Sequence, residues 1–453
     1  MTDQLSNKYN VAAPRYTSYP TVPYWEQETF DQARWSKALI HSASQMDSGT
    51  GISIYIHLPF CESLCTYCGC NTRITKNHKV EEPYIAAVLK EWQLYLQLFE
   101  QKPIIRELHL GGGTPTFFSA ENLGLLINGI LKDAEVHTDA AFSFEGHPEN
   151  TTAEHLKVLY DLGFRRISLG IQDFDPKVQF MINRIQSVEK VQEITGLART
   201  VGYTSVNYDL IYGLPAQSMA GLVDTIESVL QLRPDRIAFY SYAHVPWVKA
   251  GQRHFTEEHL PSPALKQELY EKGRAMLKAG GYEEIGMDHF TLRSDALYAA
   301  GTSGQLHRNF MGYTDQYSRI MVGLGVSAIG DCWTGFAQNE KTVEAYLKLV
   351  DQGVLPVVKG HLLNDEDLII RQHILGIMCQ GKTSWKGEDA QCQALFDGLE
   401  RMHELEEDGL VEMNLDYMQV TPLGKRFLRN ICMTLDAKLW RKQPATQLFS
   451  MAV

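Results

Sequence analysis

The run Ile52-Ser53-Ile54-Tyr55-Ile56-His57-Leu58-Pro59-Phe60 leads directly into Cys61-Glu62-Ser63-Leu64-Cys65-Thr66-Tyr67-Cys68-Gly69-Cys70. Apolar residues alternate in the first part of this run, which predicts a β-strand, and the proline that follows marks its end. The cysteines therefore lie on a loop that leaves the end of a strand. Four of the eight cysteines of the chain fall within this loop.

The spacing of these cysteines indicates a bound inorganic group. Thiolates bind zinc or iron–sulfur clusters. A structural zinc site commonly takes two separate Cys-x-x-Cys pairs, whereas Cys61, Cys65 and Cys68 form a single run. Cys70 points away from Cys68 if the chain is extended there, so it can miss the site. We interpret the first three cysteines as ligands of a [4Fe–4S] cluster with one iron open to a small molecule, and we keep zinc as an alternative.

The composition excludes several classes of protein. A chain of 453 residues predicts two or three domains, and 44% hydrophobic with 21% charged residues is typical of globular proteins. No apolar run approaches the roughly 20 residues that a membrane helix needs, and the first residues do not read as a secretory signal. The net charge of −12 argues against nucleic-acid or membrane-surface binding but allows an anionic small substrate. We expect a cytoplasmic location.

Strand-like and helix-like runs alternate through the first 280 residues. Strands are predicted at 52–57, 105–110, 140–145, 166–170, 204–210 and 235–242. Helices are predicted near 27–46, 81–100, 119–133, 152–162, 187–201, 216–231 and 263–280. Repeated strand–helix units form a parallel sheet covered by helices, and six units suit a partly closed barrel, a partial (β/α)6 barrel, better than a full eight-unit barrel.

The end of nearly every predicted strand delivers glycines or hydrogen-bonding side chains. The stretches that follow the strands are 61–70, 111–116, 145–148, 171–174, 209–215 and 240–244. Because parallel strands place their carboxyl ends at one edge of the sheet, these stretches should surround one shared cavity.

Two further segments flank the predicted barrel. Residues 14–21 hold two prolines, two tyrosines, three serine or threonine hydroxyls and Arg15, and they suit an extended arm over a polar site. From about residue 363, helices at 364–377 and 388–407, a hairpin near 409–421 and a last helix resemble a winged-helix unit. We therefore divide the α/β chain into 1–46 (arm and helix), 47–362 (catalytic domain) and 363–453 (helical domain).

The C-x3-C-x2-C run after a strand resembles the radical S-adenosylmethionine superfamily, and the Gly-Gly-Gly-Thr-Pro-Thr run at 111–116 resembles that superfamily's second-strand motif. The resemblance implies that S-adenosylmethionine chelates the open iron. It also implies that one electron from the cluster breaks the sulfonium into methionine and a 5′-deoxyadenosyl radical.

Motifs outside this common part are similar to one family, the oxygen-independent coproporphyrinogen III oxidases (coproporphyrinogen III dehydrogenases). They are residues 14–21, 57–61, 68–70, 170–174, 183–184, 209–215, 242–244, 286–290, 306–310 and 429–433. The family implies an oxidoreductase that converts two propionates of coproporphyrinogen III to vinyl groups, giving protoporphyrinogen IX in haem biosynthesis. It further implies a monomer that takes electrons from a low-potential donor such as flavodoxin or ferredoxin.

The resemblance also assigns roles to residues of this chain. Cys70 matches a cysteine that is needed but is not a ligand, and it is a catalytic candidate beside Tyr55, Glu145 and His57. One S-adenosylmethionine would contact Tyr55, Gly112, Glu145 and Ile329. A second would lie near Tyr67, Gly113, Thr114, Gln172, Arg184, Asp209 and Ala243. The chemistry agrees, because carboxylates suit amino or ribose groups and Arg184 suits a carboxylate. His57 and His109, at strand ends, can equally serve in packing.

A tetracarboxylate substrate needs cations at the mouth of the cavity. The first candidates are Arg308 and Arg15, followed by Lys249 and Arg253, with His307 and His289 as hydrogen-bond donors. The sequence departs from the common family pattern at His147 and Glu149, where an acidic residue and an arginine are more usual, and at Tyr67, where phenylalanine is common. These departures bear on substrate detail more than on the class of reaction.

Two other functions remain open at this point. One is a haem-binding relative with the radical core, which typically lacks the Cys70 position and the 14–21 arm. The other is a haem-modifying or haem-degrading radical methyltransferase, which the His147 and Glu149 departures leave open.

Overall fold

The structure is a computed structural model, and it describes residues 2–26, 30–47, 49–444 and 446–452. Its strands are β1 (Ile52–Leu58), β2 (Phe60–Cys61), β3 (Arg73–Ile74), β4 (Ile104–Gly112), β5 (Glu135–Gly146), β6 (Phe164–Gln172), β7 (Ser205–Tyr212), β8 (Arg236–Ser241), β9 (Glu283–Ile285), β10 (His289–Thr291), β11 (His307–Asn309), β12 (Gly312–Thr314), β13 (Met321–Leu324), β14 (Ile329–Asp331), β15 (Gly335–Asn339), β16 (Val357–Leu362), β17 (Lys382–Ser384), β18 (Val411–Met413) and β19 (Tyr417–Val420).

The α-helices follow the same alternation. They are α1 (Thr2–Tyr9), α2 (Gln32–Ser44), α3 (Glu81–Leu96), α4 (Ala120–Lys132), α5 (Ala153–Asp161), α6 (Pro176–Met181), α7 (Val188–Val201), α8 (Met219–Leu232), α9 (Pro263–Ala279), α10 (Ala296–Ser303), α11 (Val343–Asp351), α12 (Asp365–Gln380), α13 (Gln393–Glu407), α14 (Leu428–Leu435) and α15 (Ala437–Arg441). Several begin at a serine whose side chain accepts a backbone N–H of the first turn, as Ser119, Ser187 and Ser218 do.

Six parallel strands form the centre of the molecule, which confirms the predicted partial (β/α)6 barrel. Strands β1, β4, β5, β6, β7 and β8 lie side by side in chain order. Beyond β1 the sheet continues with β13, parallel to β1, and then with β14, β15 and β16 in antiparallel order. Beyond β8 it continues with β10 and β9, also antiparallel. The two extensions lie at opposite edges, so the barrel stays open.

A second hydrophobic core joins the start of the chain to the helical region near its other end. Leu5, Tyr9, Tyr16 and Tyr19 are buried together with side chains of α12, α13 and α14. Arg429 strengthens this junction, because its guanidinium donates to the carbonyls of Ala13 and of three further residues. These are Pro14 at 3.1 Å, Ser450 at 2.9 Å and Met451 at 2.7 Å. The arm and the helical region therefore share one core.

The sequence pattern predicted no strands or helices in the region 281–362. It holds the short strands β9–β16 and the helices α10 and α11, whose few residues give little periodic signal. In the helical region, β17 adds a third strand to the predicted hairpin, giving the order β17-β19-β18. The helix predicted at 27–46 is α2, and residues 27–29 lie outside the described residues. In the part of the chain that the structure describes, no helix is long and apolar enough to span a bilayer.

Candidate active site

The cysteine loop and the strand ends surround one cavity of about 500 Å³, named here the cluster cavity. Most of the residues predicted for the site line it: Cys61, Cys65, Tyr67, Cys68, Cys70, Gly112, Gly113, Thr114, Glu145, Gln172, Arg184 and Asp209. A second cavity of about 200 Å³, the lumen cavity, lies inside the barrel and shares Glu145, Ser168, Asp209 and Tyr240 with the first. The predicted convergence of strand ends on one cavity is therefore present in the structure.

Gly113 allows the cysteine loop to lie directly against the end of β4. A Cβ atom added at Gly113 would be 2.6 Å from the Pro59 carbonyl oxygen and 2.9 Å from the Cys61 Sγ. The Gly113 N–H donates to the Leu58 carbonyl at 2.8 Å, and the Thr114 Oγ1 lies 3.3 Å from the Cys61 Sγ. Only glycine fits this close approach, so the glycine run at 111–116 determines the position of Cys61.

The thiols of the loop fit an iron–sulfur cluster better than a single metal ion. All eight cysteines are free, and Cys61, Cys65 and Cys68 are half-buried at the cluster cavity. Over the described residues, no three His, Cys, Asp or Glu side chains converge on a position for one ion. The Arg184 guanidinium lies 3.7 Å from the Cys65 Sγ, where it can balance thiolate charge. Three spread thiols and an arginine suit a larger anionic body.

The fourth cysteine of the loop differs from the other three. Cys70 is exposed, whereas the others are half-buried. Its backbone N–H donates to the Cys68 Sγ at 3.4 Å, and the Lys249 ammonium donates to the Cys70 carbonyl at 3.2 Å. Backbone N–H donors to a cluster sulfur ligand stabilise its thiolate form.

Tyr55 and His57 form a fixed pair behind the glycine turn. The Nε2 of His57 lies 2.8 Å from the Asn71 carbonyl and must donate to it, so Nδ1 accepts from the Tyr55 hydroxyl at 3.0 Å. Burial lowers the pKa of His57, which keeps the ring neutral. A Cβ added at Gly112, where φ is +119°, would be 3.0 Å from the His57 ring. His57 therefore supports the turn by packing and also orients Tyr55.

Glu145 reaches the cavity from the end of β5. Its Oε2 accepts from the Gly112 N–H at 3.3 Å, and its Oε1 lies 3.5 Å from the His109 Nε2. The Nδ1 of His109 lies 2.8 Å from the Ser143 Oγ. The Glu145 side chain keeps 44% of its surface exposed, so the carboxylate remains available to an amino group.

Asp209 lies across the cavity at the end of β7. Its carboxylate accepts from the Ser168 hydroxyl and from the Asn207 amide, each at 2.9 Å. Burial, together with the negative charge of Glu145, raises the pKa of Asp209 to about 6. Two acidic groups thus face the same space, and a cationic or hydroxyl-bearing ligand would relieve their repulsion.

Arg184 is held at the end of β6. Its Nε and Nη2 donate to the Gly170 carbonyl at 3.0 and 2.6 Å, so one edge of the guanidinium is used and Nη1 faces the cysteines. Tyr67 and Ala243 are tied together by Gln252, whose amide donates to their carbonyls at 2.9 and 3.2 Å.

Ile329 lies on β14. In the sheet, β13 lies between β14 and β1, the strand that carries Tyr55. Gly323 pairs with Tyr55 across β1 and β13, and a Cβ added at Gly323 would be 2.5 Å from the Ile329 carbonyl oxygen. The backbone at Ile329 therefore packs closely against β13, the strand next to the one that carries Tyr55.

The departures at His147 and Glu149 both line the cluster cavity. The Nδ1 of His147 accepts from the Glu149 N–H at 3.2 Å. Burial, with the nearby positive charge of Arg184, lowers the pKa of His147 to about 3, so this ring is a neutral group. This chain therefore has a neutral side chain where the family more often has a carboxylate.

The substrate candidates do not all lie at one place. Arg15 donates to the Ser241 carbonyl at 2.7 Å, and Arg308 donates to the Arg15 carbonyl at 3.4 Å while its guanidinium lies 4.4 Å from the centre of the Tyr313 ring. His307 packs edge-on against Tyr317, with ring centres 4.8 Å apart. Burial and the charge of Arg371 lower the pKa of His307 to about 3. Arg15 and Arg308 thus contact each other, and a substrate role for His307 remains a prediction.

Three residues that organise the site have no signature in the sequence pattern. Gln252 joins two predicted cofactor contacts from a stretch without periodicity. Glu91 and Tyr84, on α3, reach the turn after β13 through backbone contacts that a pattern of side chains cannot reveal.

An open parallel barrel with three cysteines and a glycine turn at its carboxyl edge defines a radical S-adenosylmethionine enzyme, and residues 55–229 match the model of the Radical SAM superfamily. The chain is 38% identical to the oxygen-independent coproporphyrinogen III oxidase of Synechocystis sp. over 99% of this chain and 97% of that protein. It is 36% identical to the protein of that name from Escherichia coli over 99% and 98%. This chain belongs to the oxygen-independent coproporphyrinogen III oxidase family.

A solved structure agrees with the sequence relatives. The coproporphyrinogen III oxidase (HemN) from Escherichia coli, described as a radical SAM enzyme, superposes with a TM-score of 0.87 at 35% identity. The match covers 93% of this chain and 97% of that chain. Membership implies a [4Fe–4S] cluster and S-adenosylmethionine, and it favours the oxidase over the haem-binding and haem-modifying alternatives.

Proposed function

We propose that this chain converts two propionates of coproporphyrinogen III to vinyl groups without oxygen, giving protoporphyrinogen IX in haem biosynthesis. The observation that carries the proposal is the similarity over nearly the whole chain to enzymes of that name, including regions outside the radical core. Each propionate loses a hydrogen atom from its β-carbon, CO₂ and one electron, which passes to a one-electron acceptor.

The residues of the cluster cavity divide the work of binding. When bound, the cluster and S-adenosylmethionine supply the radical that removes the hydrogen atom. Cys61, Cys65 and Cys68 would hold the cluster, and the Gly112–Gly113 turn lets the backbone approach the cofactor closely. Glu145 suits the cofactor's amino group, because its carboxylate is exposed to the cavity. Tyr55, fixed by His57, would orient the bound group.

A second S-adenosylmethionine is part of the proposal. The residues that would hold it include Arg184, Gln172 and Asp209, and these line the same cavity as Glu145. Arg184 suits a carboxylate and Asp209 suits an amino or ribose group. Binding stoichiometry, measured with radiolabelled S-adenosylmethionine on wild-type and Asp209→Asn protein, tests this part. Two molecules per chain in the wild type and one in the variant are expected, and a wild-type stoichiometry of one would contradict it.

The remaining parts of the proposal concern the location, the oligomeric state, the electron donor and the domains of the protein. We propose a cytoplasmic monomer reduced by a low-potential carrier such as flavodoxin or ferredoxin, since free thiols suit a reducing compartment. We also propose the division into 1–46, 47–362 and 363–453, with the first and last parts sharing a core.

An anaerobic assay tests the reaction. Reconstituted, reduced protein with coproporphyrinogen III should yield 5′-deoxyadenosine, CO₂ and a divinyl product. The Cys70→Ser variant should keep its iron, because Cys70 is not expected to be a ligand, but should lose vinyl formation. Cleavage of S-adenosylmethionine without vinyl product in the wild-type protein would contradict the proposal.

A further inference from the structure

A small cavity lies beside the ends of β7 and β8, outside the barrel lumen. Its volume is about 80 Å³, and α9, the arm and the start of α14 enclose it. We name it the rim cavity. The lining residues that matter here are Arg15, Ser241, Lys266, Asp288 and Arg429. It is therefore closed by parts of the chain that lie far apart in sequence.

The rim cavity carries more positive than negative groups. Arg15, Lys266, Arg426 and Arg429 face two carboxylates, Glu271 and Asp288. Glu271 is paired with Arg426. Asp288 accepts from the His289 Nδ1 at 2.7 Å; burial alone would raise its pKa, but His289, Arg308 and Arg15 lower it to about 2. Both carboxylates thus already have a partner within the protein.

The other three cations have only uncharged hydrogen-bond partners among the described residues. Arg15 donates to the Ser241 carbonyl at 2.7 Å, and Lys266 donates to the Tyr242 carbonyl at 3.2 Å. Arg429 donates to the backbone carbonyl oxygens of Pro14, Ser450 and Met451. Asp288 lies close enough to act electrostatically on Arg15 and Arg429, so these three cations face one carboxylate. Burying an excess of cations over anions is costly, so this arrangement favours an anionic ligand.

Lys266 is held in place by the turn after β7. A Cβ added at Gly213, where φ is +84°, would lie 2.9 Å from the Lys266 Cε, so the glycine leaves room for the lysine stem. Burial, with the charges of Arg429 and Arg15, lowers the pKa of Lys266 to about 8. The ammonium uses one donor on Tyr242 and has two more to offer.

The rim cavity adjoins the reaction space. Ser241 lines the rim cavity, and the preceding residue, Tyr240, lines both the cluster cavity and the lumen cavity. In the same way Asp288 lines the rim cavity and His289 lines the lumen cavity. Successive residues of a strand face opposite sides, so one strand end separates the two spaces.

The charge of the expected substrate matches this arrangement. Coproporphyrinogen III has four carboxylates, of which the proposed reaction removes two. The product keeps two propionates, so two negative charges persist from substrate to product. The four cations and two carboxylates of the rim cavity leave two positive charges.

We propose that the rim cavity binds the propionates that the reaction leaves unchanged, with Lys266 as a direct ligand beside Arg15 and Arg429. The inference rests on the proposed function and adds to it a site that holds one edge of the macrocycle. The reacting propionates would then point toward the cluster cavity.

Porphyrin binding tests the inference without turnover. The probes are coproporphyrin III, with four carboxylates, and mesoporphyrin IX, which has ethyl groups in place of the two reacting propionates. Dissociation constants are measured by fluorescence for wild-type, Lys266→Met, Lys266→Arg and Lys272→Met protein. Lys272 is an exposed lysine on the same helix and serves as the matched control.

Lys266→Met should raise the dissociation constant of both porphyrins about tenfold or more, because each complex loses one charge-assisted hydrogen bond. Lys266→Arg should retain most of the affinity, and Lys272→Met should bind like the wild type. In steady-state assays, Lys266→Met should raise KM for coproporphyrinogen III with little change in kcat.

The outcomes separate the two proposals. Unchanged binding of both porphyrins by Lys266→Met overturns the inference while leaving the proposed function intact. A loss for coproporphyrin III alone also overturns it, since Lys266 would then hold a reacting propionate. Failure of the wild-type protein to bind either porphyrin overturns the inference, whereas the proposed function is overturned only by the anaerobic assay. If Lys266→Met does not fold, the same comparison is made with Lys266→Gln, and Lys266→Arg must retain most of the wild-type affinity in either case.

Discussion

Gly113 shows how one residue can fix the position of a cysteine that is predicted to hold the cluster. Its position leaves no space for a side chain, since an added Cβ would meet the Pro59 carbonyl and the Cys61 sulfur. Gly69 lies in the same loop and has open space around it. The two glycines therefore allow a matched comparison.

Gly113→Ala should lose most of its iron after anaerobic reconstitution, because the methyl group must push Cys61 away from the other thiols. Gly69→Ala should keep its iron. Iron and sulfide content per chain is the measurement. Equal iron in both variants would show that the contact between β4 and the cysteine loop does not set the cluster geometry.

Asp209 makes the stability of the cofactor-free protein depend on pH. Its pKa rises from 3.8 to about 6 on folding, so the folded protein binds a proton more tightly than the unfolded chain does. Stability therefore falls as pH rises from 3.8 to 6, and the full cost, about 3 kcal/mol, is present above pH 6.

Asp209→Asn should remove this cost. We expect the variant to melt at a higher temperature than the wild type at pH 7.5, with a smaller gain at pH 5 and none near pH 4. Thermal melts of cofactor-free protein at these three pH values are the measurement. A gain that does not change with pH would mean that the Asp209 carboxylate is not the titrating group.

At the scale of elements, α3 holds the turn between β13 and β14. The carboxylate of Glu91 accepts from the Gly325 N–H at 2.8 Å, the Tyr346 hydroxyl at 2.7 Å and the Asn339 amide at 2.7 Å. Tyr84 lies about two turns before Glu91 on the same helix, and its hydroxyl donates to the His57 carbonyl at 2.7 Å. The helix thereby links the turn before Ile329 to the strand that carries Tyr55.

Glu91→Gln should destabilise the protein by about 1 to 3 kcal/mol, because the new amide N–H₂ must face a donor in either orientation. We expect a lower melting temperature and weaker S-adenosylmethionine binding by the reconstituted protein. Glu82→Gln, an exposed position on the same helix, is the control. The prediction is wrong if both variants melt and bind alike.

The elements that could be predicted are those with a long periodic signal. The six barrel strands and their helices follow from alternation and from caps such as Ser119, and the convergence of Cys61, Gly113 and Glu145 follows from the rule that parallel strands end at one edge. Strands of three or four residues, such as β9 to β14, carry no usable period. Contacts made by the backbone, such as those of Glu91, and cavities closed by distant segments, such as the one with Lys266, have no local signature.

At the scale of the whole molecule, the arm and the helical region depend on each other. Tyr16 and Tyr19 are almost fully buried in the second core, and the Tyr16 hydroxyl donates to Asp436 at 3.1 Å. The arm also supplies Arg15 to the rim of the barrel. Removing the arm should therefore disturb the helical region, although α12 begins at Asp365, more than 340 residues away in sequence.

Deleting residues 2–20 should increase hydrogen exchange in α12 and α14, whose buried faces would lose their cover, while α4 and α5 keep their protection. Hydrogen–deuterium exchange read by mass spectrometry is the measurement. Unchanged exchange in α14 would show that the helical region folds without the arm.

The position of the cysteine loop bears on how the holoprotein is made. Among the described residues, neither large hydrophobic core includes a cysteine of this loop. The shell of the molecule can therefore form first, and the inorganic group can enter afterwards through the open mouth where Glu62, Ser63 and Cys70 are exposed. Maturation then becomes a separate step that follows synthesis, in which clusters are delivered to chains that have already folded.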